Sequence, residues 1–173
     1  FLATHDLALA NLASLPPISV AGAVQTGTHG SGVRNGSLAS SVLALEIVRA
    51  SGQVEIVGEH DPDFAASVVG LGAVGIVTAV TLRVQPHFEI SQYVHEGLSW
   101  TAALANWPAI MASGYSVSVF TTFQGENTHQ IWSKRRLDVD GPEFDLGALG
   151  ATESAVALHP LPGVSAESVT GQL

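Results

Sequence analysis

The residues best suited to chemistry lie in one glycine-rich loop, residues 27–36. Four of its ten residues are glycine, and the hydroxyls of Thr28 and Ser31 lie between them. Glycine permits positive φ and lets a ligand approach the backbone closely. Consecutive N–H groups in such a turn form a concave anion site, to which hydroxyls add uncharged donors. The loop therefore suggests an anion site, although a glycine-rich turn without a ligand explains the composition equally well.

Two nucleotide-binding motifs and one protease motif do not fit this loop. No lysine follows the glycines, as a P-loop requires, and no βαβ unit follows, as G-x-G-x-x-G requires. The surroundings of His29 faintly resemble the histidine segment of subtilisin-like proteases. That mechanism also needs a serine on a strained turn and a buried aspartate, and the sequence offers no such serine context. We therefore expect no protease activity.

The other titratable residues give weaker signals. The seven histidines form no short-spaced pair and no histidine–carboxylate cluster of the zinc-binding type, so we expect no metal site. Lys134, Arg135 and Arg136 are three of the six basic residues and could form an anion-binding patch. However, alternate residues of a strand face opposite sides of the sheet. A solvated strand edge is therefore the favoured interpretation.

Composition limits the kind of partner. The chain is 46% hydrophobic and 12% charged, which is typical of a globular protein, and its net charge is −9. This charge argues against a nucleic-acid partner and against an anionic membrane surface. With no cysteine there is no disulfide or thiolate chemistry. A cytoplasmic protein fits this composition, although cysteine-free secreted proteins also exist.

The elements that would position the loop follow from apolar patterning and turn residues, and they predict an α+β chain. We expect a domain boundary near Pro86–His87, which gives domains 1–86 and 87–173. A helix begun at Asp61 should run to about Val69, and Ser51–Gly52 should form a hairpin turn. The other elements expected before the boundary are a helix end over 1–12, a break at 14–17, a strand over 18–24, a helical turn over 37–41, and strands over 42–50, 53–57 and 74–84.

After the boundary the order changes to strand, helix, strand, strand. The expected elements are strands over 88–95, 115–123 and 130–136, a helix over 99–112, and loop-like chain over 141–173. The helix would carry one apolar face, formed by Trp100, Leu104, Trp107 and Met111. We interpret this face as core, and the alternative for its two tryptophans is a role in a substrate channel. Pro108 should kink the helix.

Seven segments share one resemblance. They are 15–22 (LPPISVAG), 26–32 (TGTHGSG), 35–40 (NGSLAS), 70–78 (GLGAVGIVT), 115–120 (YSVSVF), 132–136 (WSKRR) and 159–163 (HPLPG). Together they resemble the FAD-linked oxidases of the vanillyl-alcohol-oxidase fold, in particular alditol (xylitol) oxidases and sugar-lactone oxidases. The resemblance implies that 1–86 is the second half of the FAD-binding domain. It also implies that 87–173 begins an α+β substrate (cap) domain.

The resemblance also implies cofactor contacts. Position 23, which is Ala23 here, would lie near the flavin ring, and Ile76 and Val77 would contact the adenine end through their backbone. The residues expected to line the diphosphate are Thr28, Ser31, Gly32, Val33 and Arg34. Several alditol oxidases have a serine in place of Ala23, and its hydroxyl helps to hold the substrate. Lactones and other polyols therefore remain alternative substrates.

The reaction implied is hydride transfer from the carbinol carbon of a sugar alcohol or related compound to flavin, followed by reoxidation by oxygen to give hydrogen peroxide. In such an oxidase, the histidine that binds flavin covalently would precede Phe1, and the residues that position the substrate hydroxyl would follow Leu173. We therefore expect an internal part of a larger enzyme, without catalytic residues, that by itself binds FAD weakly or not at all. His29 is not expected to be the covalent histidine. The alternative is a ligand-free α+β scaffold or interaction domain.

Overall fold

The computed structural model describes residues 1–13, 18–141, 143–161 and 163–165. Two compact units divide the chain: unit 1 comprises residues 1–30 and 35–87, and unit 2 comprises residues 31–34 and 88–173. The sequence predicted a boundary near Pro86–His87. It did not predict that Ser31–Arg34 belongs to the second unit. That the two units are parts of an FAD-binding domain and a substrate domain stays a prediction. The predicted break at 14–17 lies outside the described residues.

Unit 1 is built on a three-stranded antiparallel sheet with the order β3–β2–β4. Its strands and helices are β1 (Leu7–Ala8), α1 (Val20–Gln25), β2 (Val42–Val48), β3 (Val54–Gly58), α2 (Phe64–Val68), β4 (Ile76–Leu82) and β5 (Gln85–Pro86), with 3-10 turns at Ala3–His5 and Leu38–Ser41. The short strands β1 and β5 pair with each other. The buried core side chains come from the helices and from the sheet: Ala23, Val24, Leu38, Val42, Leu45, Ile47, Val57 and Val68.

The hairpin of β2 and β3 confirms the predicted turn. Gly52 has φ of +83°, a conformation that costs little without a Cβ. The N–H of Gly52 donates to the carbonyl of Arg49 at 2.9 Å, and the N–H of Arg49 donates to the carbonyl of Gln53 at 2.8 Å. These bonds close the turn and set the register of the two strands.

Three predictions in unit 1 are wrong. The expected strand over 18–24 is helix α1, because the Ser19 Oγ caps it by accepting from the Gly22 N–H at 3.1 Å. The expected helix end over 1–12 is a 3-10 turn, which stops at Asp6 with φ of +53°, followed by β1. The helix expected from Asp61 begins at Phe64, because the Asp61 carboxylate instead accepts from the Gly58 N–H at 2.7 Å.

Unit 2 is built on a four-stranded antiparallel sheet with the order β7–β8–β6–β9. Its elements are β6 (Ile90–Glu96), α3 (Trp100–Ala105), α4 (Trp107–Ala112), β7 (Ser116–Phe120), β8 (Gln130–Arg136), a 3-10 turn (Gly147–Leu149) and β9 (Thr152–Glu153). The core packs the helices and the 3-10 turn against one sheet face: Leu98, Ala103, Ile110, Val117, Ile131, Leu146 and Ala151. With both units, the α+β class is confirmed.

Two predictions in unit 2 need correction. The helix over 99–112 is two helices that meet at Asn106, whose side-chain amide donates to the Ala102 carbonyl at 2.9 Å. Pro108 allows no continuous helix here, so the predicted apolar face is broken: Leu104 is 65% exposed and Trp107 is 36% exposed. The remaining two residues of that face, Trp100 and Met111, do pack against the core.

The second correction concerns the basic residues 134–136. They lie on β8, which pairs with β6 on one side and with β7 on the other. The strand is therefore interior to the sheet, and the solvated edge predicted for these residues is wrong. Within the described ranges, no helix has the length and apolar character needed to cross a membrane.

Candidate cofactor-binding site

The first residues of the glycine-rich loop end helix α1. The N–H of Gly27 donates to the Val24 carbonyl at 3.1 Å, and the N–H of Thr28 donates to the Ala23 carbonyl at 2.9 Å. With φ of +65° at Gly27, this is a Schellman motif, in which the glycine is the residue after the helix C-cap. The backbone donor of Thr28 is therefore used within the protein. Its hydroxyl lies 3.1 Å from that of Thr26.

Contacts within unit 1 also hold both ends of the loop. The Thr28 carbonyl accepts from the N–H of the core residue Leu38 at 3.0 Å. The Asn11 side-chain amide donates to the Gly36 carbonyl at 3.3 Å. A Cβ at Gly30 would lie 2.5 Å from Asn11 Oδ1 and closer still to the Leu12 carbonyl oxygen, so only glycine fits there. Gly27 and Gly30 thus have structural roles that need no ligand.

The middle of the loop, the Ser31–Arg34 segment, has its contacts in unit 2. The Ser31 hydroxyl is hydrogen-bonded to the hydroxyl of Ser116, and the Ser118 hydroxyl donates to it at 2.9 Å. Ser116 and Ser118 are two residues apart on β7 and therefore share one face of the sheet. The Ser31 side chain is held against that face.

The Arg34 side chain forms an ion pair with a buried aspartate. Its Nη2 lies 3.1 Å from Asp140 Oδ1, and the Asp140 side chain is only 7% exposed. The second oxygen of Asp140 accepts from the backbone N–H groups of Tyr115 at 3.0 Å and of Arg136 at 2.8 Å. Sequence reasoning missed Asp140, because its partner Arg34 lies 106 residues away. Part of the Arg34 charge is therefore balanced within unit 2.

The backbone of the Ser31–Arg34 segment is not in a strand. Within the described part of the chain, the N–H groups of Gly32, Val33 and Arg34 donate to no acceptor. Gly32 has φ of +113°, and Val33 is 60% exposed. Three successive N–H groups without internal partners in a glycine-containing turn are the donor set that binds an anion. This observation fits a phosphate group at the segment.

The second glycine segment, residues 70–75, is joined to helix α1 by a buried glutamine. Gln25 is 7% exposed, and its Nε2 donates to the carbonyls of Ser67 at 2.8 Å and Val68 at 3.2 Å. Its Oε1 accepts from the Gly72 N–H at 3.2 Å, and its carbonyl accepts from the Leu71 N–H at 3.1 Å. Gln25 thus holds the second glycine segment against the helix that leads into the glycine-rich loop. Sequence reasoning missed this residue too.

The other predicted cofactor contacts lie in unit 1. Ala23 is buried in the core, with 5% of its surface exposed. Ile76 and Val77 begin β4, where they pair with Val48 and Ile47 of β2. Ile76 is 70% exposed, whereas Val77 packs against the core. Because β4 is at one end of the described sheet, alternate backbone groups point away from β2. Cofactor contacts at these three residues stay predictions.

His29 has no geometry for catalysis or metal binding in the described residues. Its Nδ1 lies 2.9 Å from the carbonyl oxygen of the adjacent Gly30, and no described carboxylate forms an ion pair with it. No group of three His, Cys, Asp or Glu side chains in the described ranges is arranged to hold a metal ion.

The amino-terminal part of the chain matches a known domain family. Residues 1–58 match the family model of an FAD binding domain. Over 168 residues, or 97% of the chain, the sequence is 45% identical to alditol oxidase from Streptomyces sp.. This chain is a relative of the FAD-linked oxidases. The resemblance read from the glycine segments is thereby confirmed, together with FAD as the cofactor.

Other relatives of this chain are named for sugar lactones. D-arabinono-1,4-lactone oxidase from Eremothecium gossypii is 36% identical over 115 residues, 65% of the chain. L-gulono-1,4-lactone dehydrogenase from Mycobacterium tuberculosis is 39% identical over 92 residues, 53% of the chain. The aligned region spans 39% of the length of the alditol oxidase and 21% of each of these two proteins.

A solved structure supports the predicted fold. A cholesterol oxidase variant from Brevibacterium sterolicum matches with a TM-score of 0.66 over 77% of the chain and 29% of that protein. At 22% sequence identity the match shows the fold alone. It agrees with the predicted vanillyl-alcohol-oxidase fold.

Proposed function

We propose that the chain binds the diphosphate of FAD along the Ser31–Arg34 segment. In the enzyme of which this chain forms part, the reaction proposed is oxidation of a sugar alcohol or related CH–OH compound by oxygen. The observation that carries the proposal is that the N–H groups of Gly32, Val33 and Arg34 have no acceptor among the described residues, in a chain whose residues 1–58 match an FAD binding domain. Backbone N–H groups bind phosphate without requiring a basic sequence, which is consistent with the net charge of −9.

Each residue of the segment has a role that its contacts support. Gly32 and Val33 would bind phosphate oxygens through their N–H groups. Ser31 would hold the segment in place, because its hydroxyl is bonded to β7. Arg34 would add a guanidinium whose charge Asp140 partly balances. Thr28 can offer only its hydroxyl as a donor, because its N–H bonds to Ala23.

When bound, FAD would supply the redox chemistry, as the acceptor of the hydride from the carbinol carbon, while the hydroxyl proton is also released and oxygen is reduced to hydrogen peroxide. The residues of this chain bind and orient FAD. Contacts of Ala23 with the flavin ring, and of Ile76 and Val77 with the adenine end, are part of the same proposal. Catalytic residues are not assigned within this chain.

The proposed substrate is a small polyol. The alditol oxidase relative aligns over nearly the whole chain, whereas the lactone-named relatives align over about half to two thirds of it. A methyl group at Ala23 offers the substrate no hydrogen bond, which weakens one expected polyol contact and keeps a sugar lactone as the second candidate.

A titration that separates the diphosphate from the flavin ring tests the binding proposal. Riboflavin has the ring but no phosphate, so it reports ring contacts alone. We expect the chain to bind FAD at least about tenfold more tightly than riboflavin, as measured by fluorescence anisotropy at up to millimolar protein. Equal affinity for the two would contradict recognition of the diphosphate. No detectable binding of FAD by a protein that carries this chain with whatever flanks it in its reading frame would contradict the cofactor proposal.

A peroxide assay tests the substrate. A protein that carries this chain with whatever flanks it in its reading frame is loaded with FAD and supplied with xylitol, sorbitol or a 1,4-lactone. We expect peroxide with the polyols. If only the lactone gives peroxide, the proposed substrate is a lactone and not a polyol. If no substrate gives peroxide, the oxidase proposal is contradicted.

We further propose a cytoplasmic location, because a chain without cysteine does not need an oxidising compartment to fold. Cell fractionation followed by immunoblotting tests this location. Recovery of the protein only outside the cytoplasm would contradict it.

A further inference from the structure

Lys134 is the only lysine of the chain, and it lies in the middle of the unit 2 sheet. In register it is opposite Gln92 of β6 and Ser116 of β7. Directly paired residues in an antiparallel sheet place their side chains on the same face. The amine, the amide and the hydroxyl therefore form one polar row across three strands.

The Lys134 amine has no counter-charge among the described residues, in contrast to the arginines. It is partly buried, and it forms no ion pair and no side-chain hydrogen bond there. Burial lowers the pKa of the Lys134 amine. Each arginine has an acceptor: Arg34–Asp140, Arg49–Glu55, Arg83–Glu59, Arg135–Gly141 carbonyl and Arg136–Asp138. A half-buried cation without an anion is costly unless a ligand supplies one.

The surroundings of Lys134 are suited to an anion. The Gln92 Oε1 is buried and has no hydrogen-bond partner in the described part of the chain, so this amide is free to reorient toward a ligand. The neighbouring charged group on this face is Arg136, two residues along β8, which is paired with Asp138. The other neighbours on the face carry no charge: Ile90, Val94, Ser118 and Trp132.

The same row reaches the proposed phosphate segment. Ser116, opposite Lys134, is hydrogen-bonded to the hydroxyl of Ser31, and the N–H groups that follow Ser31 are the open ones. All of these residues belong to unit 2. The lone cation and the open backbone donors were identified by separate observations, and the Ser31–Ser116 bond joins the segment to the strand residue paired with Lys134.

We propose that Lys134 supplies the positive charge for a phosphate group bound at the Ser31–Arg34 segment, and that this phosphate belongs to the diphosphate of the flavin cofactor. This inference rests on the proposed function, because it adds a residue to the same site. A lysine ammonium binds phosphate as a point charge and completes a site made of backbone N–H groups. The charge of Arg34 is partly balanced by Asp140, so Lys134 supplies the unbalanced positive charge.

Three variants of the full chain isolate the charge of Lys134. Lys134→Met removes the charge and keeps an unbranched side chain one atom shorter, Lys134→Arg keeps the charge, and Arg83→Gln removes one charge at a pair in unit 1. For inorganic pyrophosphate and for FAD, we expect Lys134→Met to raise the Kd about tenfold. Lys134→Arg should recover most of the affinity. Arg83→Gln should leave both Kd values unchanged, as should every variant for riboflavin.

A second readout follows the amine itself. Because the chain has one lysine, ¹³Cε-lysine labelling gives a single Lys134 resonance that reports its pKa by NMR. Pyrophosphate should raise this pKa, since a bound anion stabilises the ammonium. An unchanged pKa on saturation would overturn the contact. This measurement does not depend on enzyme activity, and thermal melts of each variant verify that it is folded.

The outcomes separate the two proposals. If FAD binds more tightly than riboflavin but Lys134→Met has no effect, the role of Lys134 is wrong and the proposed function stands. If pyrophosphate binds through Lys134 and FAD does not compete with it, the cofactor as the source of the phosphate is overturned. If inorganic phosphate binds as tightly as pyrophosphate, the site is one for free phosphate, and the cofactor as the source of the phosphate is again overturned.

Discussion

The two parts of the glycine-rich loop use the same kind of residue for different purposes. In the first part, up to Gly30, the glycines end helix α1 and allow close packing against Asn11 and Leu12. The N–H of Thr28 is used in the helix cap. In the second part, Ser31–Arg34, the side chains of Ser31 and Arg34 are held by unit 2, and three successive N–H groups have no acceptor in the described part of the chain.

This difference shows that glycine content does not by itself locate a ligand. A glycine can be required by positive φ or by a neighbouring backbone, and both requirements are met in the first part of the loop. The feature that points to an anion is a run of backbone donors without internal partners. Substitutions in the first part should therefore reduce stability, whereas substitutions around the second part should reduce ligand binding.

The largest expected effect is at Gly30. Gly30→Ala places a Cβ against Asn11 and the Leu12 carbonyl, so the backbone must move. We expect a loss of about 3 kcal/mol in the free energy of unfolding, measured by urea denaturation. Gly141→Ala is the matched control, because a Cβ there meets nothing within 4 Å. If both variants are equally stable, the close packing assigned to Gly30 is wrong.

Gln25→Leu should have the next largest effect. It leaves the carbonyls of Ser67 and Val68 and the Gly72 N–H without their partner. We expect a loss of about 2 kcal/mol, with faster amide hydrogen exchange in the second glycine segment. Gln53→Leu, at an exposed turn, should change stability by less than about 0.5 kcal/mol. A Gln25→Leu protein as stable as the parent would show that these bonds contribute nothing net.

Gly27→Ala should cost less, about 1 kcal/mol, because alanine at φ of +65° is strained but the nearest neighbour, Val69, is at 3.5 Å. Urea denaturation measures the change. Affinity for pyrophosphate should stay within a factor of two, since the Gly27 N–H is part of the helix cap. A tenfold loss of affinity with intact stability would place the ligand at the first part of the loop.

Arg34→Gln should show the opposite pattern. The Arg34 side chain is 64% exposed, so its ion pair with Asp140 should contribute less than about 1 kcal/mol to stability. Affinity for FAD should fall a few-fold, by the loss of one partly balanced cation near the phosphate. A large loss of stability with unchanged FAD affinity would make Arg34 a structural residue.

The smallest expected effect is in the pH dependence of stability. Because burial lowers the pKa of Lys134, the unfolded chain binds that proton more tightly than the folded chain. Burial of the ammonium therefore lowers the free energy of unfolding. This loss of stability is fully present below the pKa of Lys134 in the folded chain, and it is relieved as pH rises toward the ordinary lysine pKa of about 10.4. Lys134→Met should remove this rise in stability, as measured by thermal melts at several pH values.

Tyr115 acts in the opposite direction and provides the internal comparison. Burial raises the pKa of the Tyr115 phenol. The contribution of the neutral phenol to stability is therefore lost as pH rises beyond the ordinary tyrosine pKa of about 10. That loss should persist in both Lys134→Met and the parent. Identical pH profiles for the two proteins would contradict the burial of the Lys134 amine.

Local signals in the sequence predicted local structure well. The hairpin at Ser51–Gly52 follows from turn chemistry, and the strand over 130–136 matches β8 residue for residue. The strand predicted over 18–24 failed because a short apolar run suits a strand or a buried helix equally. The Ser19 cap decided for the helix.

Features of the site that depend on distant residues could not be predicted. Gln25 bonds to residues 42 to 47 positions away, and Arg34 pairs with Asp140 across 106 positions. The interior position of Lys134 depends on pairing with β6 and β7, which the sequence does not specify. The glycine-rich loop could be found from the sequence, but its division into two parts required the fold.

Backbone amide NMR of the chain titrated with FAD tests the central claim most directly. The account predicts that the amide signals of Gly32, Val33 and Arg34 shift with one common Kd, while those of Gly27 and Thr28 move little because their N–H groups already have partners. Largest shifts at Gly27 and Thr28, or shifts confined to residues outside the loop, would contradict it.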